Sequence, residues 1–244
     1  MGRGAKIDPT KRDFRRSLVS AFNLSAAVDP FLRRNLDNMI YEDLHFEQAR
    51  KILGLAFLGV TAAWEEFLDG CFIRYLVGAK SPNGFSPSLL LGPCHSMQHA
   101  YQLLGGADFN PESRYLDWTD PSSIIKKARV FFRNGRPFDC LEGSEQLLKD
   151  AVRIRNRVAH QSDKARNDFY DAALRILGRR SRKQGGRLRQ GYSVGQLLTE
   201  TPKRFYGEPS EGFMVLHLFL NAYWNLARQI APADDHQALI RIGS

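Results

Sequence analysis

Residues 153–162, RIRNRVAHQS, crowd Arg153, Arg155, Asn156, Arg157 and His160 into eight positions. A histidine takes or returns a proton near neutral pH, and an arginine stays charged and grips two phosphate oxygens at once. Around one cavity the pair suits phosphodiester chemistry. In RNA, the histidine can deprotonate the ribose 2′-hydroxyl, whose oxygen attacks the adjacent phosphorus while the arginine stabilises the growing negative charge. That scheme requires no metal and no cofactor.

Stepping around a helix at roughly 100° per residue sets Asn156 and His160 one turn apart at i, i+4. Arg155 flanks them but lies roughly 140° from His160, so one ideal helix does not aim both at the same phosphate. A distorted helix end or a second copy of the motif answers that difficulty. Arg153 and Arg157 extend the cationic edge past His160. A purely structural reading also fits, because basic residues near a helix C-terminus oppose the macrodipole and cap carbonyls.

The helix carrying these residues is expected to start near Ser144, with Leu147, Ala151, Ile154 and Val158 as its buried stripe. Before it runs the longest helical pattern, residues 42–77, with Leu53, Phe57, Val60, Trp64, Phe67 and Cys71 on one face. A short amphipathic piece over 93–104 stops at Gly105 and Gly106, and a helix capped by Asp120 or Ser122 follows a loop at 110–121. Further helices are expected over 163–177 and 212–230, separated by a mobile basic loop at 178–195. No alternating strand or internal repeat stands out. The fold class expected is all-α, a bundle of antiparallel long helices.

The charge balance is basic, 35 Lys and Arg against 26 Asp and Glu, and it is uneven. Residues 172–199 contain no acid and seven cations, and residues 121–138 contain no acid and five, which together exceed the whole net charge of +9. A positive face is implied, suited to a polyanion such as RNA. In the loop, Arg179, Arg180, Arg182, Lys183, Arg187 and Arg189 can track a backbone beside Arg153 and Arg157, with Tyr192, Phe205 and Tyr206 as stacking candidates. A solvated connector explains the same run. Lys11, Arg12, Arg15 and Arg16 either extend the positive face or belong to a frayed arm.

Three widely spaced cysteines, Cys71, Cys94 and Cys140, argue against a secreted disulfide framework. With no apolar leader and no membrane-length apolar run, the expectation is a cytoplasmic chain without a membrane partner. Cys94, His95 and His99 form half of a zinc-type spacing with no second ligand pair, so no metal is assigned.

RNRVAH, residues 155–160, resembles the R-N-x-x-A-H form of the Arg-x4-6-His motif of the HEPN superfamily, specifically its RiboL-PSP-HEPN branch. AAWEEFLDG (62–70), YLDW (115–118), RPF (136–138) and Ser162 stand in the order that family shows, and the similarity spans roughly residues 46–230. The resemblance implies an HEPN-like helical bundle and a metal-independent endoribonuclease of host defence or of a toxin system. It implies a homodimer in which two motif helices build one composite site, leaving 2′,3′-cyclic phosphate and 5′-hydroxyl ends. An antitoxin or defence partner protein belongs to the same expectation. Carried over, Arg155 stabilises the phosphate, His160 is the general base or acid, and Asn156 orients them. Glu65 is a candidate to hold Arg155 or Arg157. Other HEPN members are non-catalytic modules that bind nucleic acid or a partner, which is the alternative here. The organisation expected is a basic arm or helix at 1–30, one helical domain at 31–230 and a tail at 231–244.

Overall fold

The computed structural model describes residues 6–32 and 44–233. Among the described residues eight α-helices carry the fold: α1 (Asp8–Leu32), α2 (Phe46–Leu76), α3 (Met97–Gly105), α4 (Pro121–Phe131), α5 (Glu145–Ala159), α6 (Asp163–Ile176), α7 (Val194–Thr199) and α8 (Val215–Ile230). The all-α class is what the apolar spacing demanded. A departure among the described residues is a hairpin of two two-residue strands, β1 (Arg204–Phe205) and β2 (Glu208–Pro209), paired antiparallel. Its turn places Tyr206 at φ 49° and Gly207 at φ 95°. Two consecutive positive φ values match the twist of a two-residue hairpin, and the strands are too short for alternation to show in sequence.

The chain divides into two compact units, one of residues 1–16, 63–149 and 223–244, the other of 17–62 and 150–222. The boundaries fall inside α1, α2, α5 and α8 rather than in linkers, so composition does not mark them. The residues expected as a tail lie, beyond 233, outside the described residues, as do the first two of the predicted long helix.

In the first unit, the later half of α2 is buried on several faces, with Leu68, Phe72 and Tyr75 inaccessible. A helix apolar all round belongs at the centre of its unit. Phe72 packs its ring 5.1 Å from Trp118, 5.0 Å from Phe132 and 4.9 Å from Phe138. Each such aromatic pair adds about 0.5–1.5 kcal/mol beyond area burial. The tryptophan of YLDW and the phenylalanine of RPF are therefore core anchors. Asp69 accepts from Tyr101 Oη at 2.5 Å and Trp118 Nε1 at 2.9 Å, satisfying the polar tips of both rings. Asp120, one of the two caps the sequence left open, caps α4 through Ser122 N and Ser123 N, with Pro121 in the first turn. Lys11 is buried with Nζ 5.2 Å from the Trp224 ring, so it does not extend a positive face; its stem fills the core and its charge meets a π face.

In the second unit, Phe57 and Phe205 both pack on Phe219 at 5.1 Å. Ser25 Oγ donates to Phe22 O at 2.7 Å and lies 2.8 Å from His217 Nε2. Gly195, in the first turn of α7, faces α2 so closely that a Cβ would stand 2.3 Å from Arg50 O. Only glycine permits that approach.

Candidate active site

Helix α5 begins at Glu145, close to the expected start, and buries Ala151 and Ile154 completely. Five residues before Arg155 stands Asp150, with 0 % of its side chain exposed. It accepts from Arg175 Nε at 2.8 Å and Nη2 at 2.9 Å, from Arg153 Nη1 at 2.9 Å, and from Tyr206 Oη at 2.8 Å. A buried carboxylate is tolerable when its lone pairs are filled and its charge is matched, and four bonds do both. The bond to Asp150 raises Arg175 above its ordinary guanidinium value. Burial foremost, then the adjacent Asp150 charge, pushes the Tyr206 phenol far upward. Asp150 thus fixes α5 against α6 and the β1–β2 turn, immediately before the motif. The sequence reading missed it, because a lone aspartate in a helix carries no distinguishing spacing.

The motif itself forms an exposed corner. The helical ladder closes on His160, whose N–H donates to Asn156 O at 2.8 Å, and the helix ends at Ala159. His160 is exposed, and Arg155 Nη1 donates to Asn156 Oδ1 at 3.0 Å. Arg157 Nη1 donates to His160 O at 3.3 Å. Ser162 then caps α6, its Oγ accepting from Ala165 N. Arg155, Asn156 and His160 are brought to one helix end, with the histidine on the residue that follows its last one. Glu65 belongs to the first unit, and the motif belongs to the second.

The cationic rim separates into used and unused charges. Arg153 is tied to Asp150 and so has a structural contact of its own. Arg182 forms a two-point pair with Asp171, both contacts at 2.7 Å, and reaches Asn167 at 2.9 Å. Its bond to Asp171 lowers that carboxyl and raises the guanidinium. Arg182 therefore anchors the loop to α6 through one short 3₁₀ turn at Arg182–Gln184. Arg179, Arg180, Lys183, Arg187 and Arg189 are exposed and make no ion pair among the described residues. The stacking candidates are engaged: Phe205 is buried, Tyr206 holds Asp150, and Tyr192 lies along Phe169 with Oη donating to Glu200. Aromatic composition alone does not tell an exposed ring from one that packs.

Beside the motif lies a cleft of about 770 Å³, lined by α2 over 47–55, by the α5–α6 corner, by α6 and by 190–195. It stands within the second unit. Arg157 and Gln161 line it, and so alternate with Asn156 and His160 along the chain.

Among the described residues no three potential metal ligands gather, and His95 and His99 stack at 5.4 Å. No described helix is long and apolar enough to cross a membrane. No protein-family model, curated protein or solved structure matches the chain.

Proposed function

We propose that this chain is a metal-independent endoribonuclease of HEPN type, acting as a homodimer in the cytoplasm in host defence or as a growth-inhibiting toxin. One observation carries the reading: R-N-x-x-A-H ends a helix so that His160 is exposed on its last turn while Arg155 is bonded to Asn156 beside it. In the proposed step, His160 takes the 2′-hydroxyl proton, the 2′-oxygen attacks phosphorus, and the 5′-oxygen departs with a proton from the second copy's histidine. Arg155 stabilises the charge on the non-bridging oxygens, and a 2′,3′-cyclic phosphate remains. An antitoxin or defence partner would restrain or trigger the activity.

The test is cleavage of RNA by purified protein in EDTA, with the product ends identified. Cutting that survives chelation and disappears in His160→Ala and Arg155→Ala supports the assignment. Wild-type cutting by those variants overturns it.

A second reading, a non-catalytic HEPN module that binds RNA, is favoured by the five cations of the 179–189 loop that make no ion pair among the described residues. It expects salt-sensitive binding without cleavage, lost when Arg179, Arg180 and Lys183 are neutralised.

A further inference from the structure

The cleft next to the motif has its own chemistry. Arg50, Lys51, Arg157 and Arg166 line it against one acid, Glu47. Arg50 pairs with Glu47 at 2.9 Å, and Arg166 pairs with Asp163 at 2.8 Å. Lys51 and Arg157 then face the cleft with no carboxylate among the described residues. Arg50 Nε is buried in the same wall without a hydrogen-bond partner. Such a wall favours an anion.

The remaining lining is apolar or planar. Tyr170 sits half-buried on α6, and Leu55 stays 61 % exposed on α2. A flat ring with a polar edge and an attached phosphate meets both halves of this lining. The volume lies in the range of small-molecule sites, roughly 300–1,000 Å³. The close approach of Gly195 to Arg50 O fixes the 190–195 segment against α2 and sets the cleft's width. Continuity with the motif is direct, since Gln161 follows His160 and Arg157 bonds the carbonyl of His160.

We propose that this cleft is a subsite for one nucleotide of single-stranded RNA, adjoining the phosphate cut at the motif. Lys51 and Arg157 hold the neighbouring phosphate, and Tyr170 receives the base. The choice of RNA over a free nucleotide rests on the ribonuclease reading, because the motif needs a 2′-hydroxyl on a continuing chain. A base-sized subsite also requires an unpaired strand, since a base within a duplex cannot enter a cleft of this kind.

The experiment uses the full chain, a fluorescent 2′-O-methyl hexanucleotide that cannot be cut, and 5′-AMP as competitor. Lys51→Ala and Tyr170→Leu are expected to weaken hexanucleotide binding about tenfold each while melting as the wild type does. Lys51→Ala should also flatten the salt dependence by about 0.7 in log–log slope. Wild-type affinity in both cleft variants overturns the subsite, and so does tighter binding of 5′-AMP than of the hexanucleotide. Binding that depends on Lys51 and Tyr170 in a protein that cuts no RNA supports the subsite and overturns the ribonuclease reading instead.

Discussion

Asp150 and Arg175 meet side-on, Nε on Oδ2 at 2.8 Å and Nη2 on Oδ1 at 2.9 Å, joining α5 to α6 one turn and a half before the motif's arginine. Two parallel bonds fix direction as well as distance, so the helix end that carries His160 inherits its orientation from a buried ion pair.

Asp150→Ala removes a fully buried acceptor and strands Arg175, Arg153 and the Tyr206 hydroxyl together. Arg175 keeps 40 % of its side chain exposed, which softens the loss. The expected cost is about 2–4 kcal/mol, read from urea unfolding, with a parallel fall in any RNA cleavage. A change below about 0.5 kcal/mol would show that the hub does not hold α5.

His160→Ala and Arg155→Ala address chemistry rather than folding. Each is expected to lower the cleavage rate by about 10²–10⁴-fold. For His160→Ala the melting temperature should move by no more than about 2 °C, because the side chain is exposed at a helix end. Calorimetry on the same preparation separates the two effects.

The basic loop should behave as two populations. Neutralising Arg179, Arg180 and Lys183 together is expected to reduce the salt slope of RNA binding by about 2 with little effect on stability. Arg182→Ala should instead release the loop from α6, raising its protease sensitivity more than it weakens RNA binding. Equal effects on binding from all four positions would count against the division.

Acid stability should carry the mark of His217. Burial lowers this imidazole from its ordinary 6.5, with Asp29 pulling in the opposite direction and Ser25 Oγ at 2.8 Å. Below about pH 6.5 the unfolded chain takes a proton that the folded one resists, so stability present at neutral pH is lost as pH falls. Urea midpoints at pH 7.5 and 5.5 should differ more for wild type than for His217→Gln.

A composite site needs two copies. Sedimentation at working concentration is expected to give a dimer, and cleavage should fall more steeply than linearly on dilution. Activity proportional to a strictly monomeric species would remove the paired-motif mechanism.

Much of the helical frame was legible before any coordinates. Leu53, Phe57, Val60, Trp64, Phe67 and Cys71 are all exposed by 5 % or less, because an apolar stripe at helical spacing has one way to leave water. The cap at Asp120 and the end of α5 at the motif were equally local. Less legible was the fate of charges and rings. Arg182, Lys11 and Tyr206 read as surface residues, yet each meets a partner supplied by folding, while Arg153 meets Asp150 three positions back on its own helix. Arg182 and Asp171 are eleven positions apart, and Tyr206 lies 56 positions from Asp150.

The sequence by itself determined that the chain is all-α, that its positive charge is concentrated in two stretches, and that Arg155, Asn156 and His160 share one helix end. Those properties follow from residue order alone, through helical periodicity and local composition. Only the tertiary structure decided which cations stay unpaired, that a buried Asp150 orients the motif helix, and that a cationic cleft opens beside His160. Each of those depends on contacts between segments far apart in the chain, and the free energy of a buried charge is set by whichever distant donors folding brings to it.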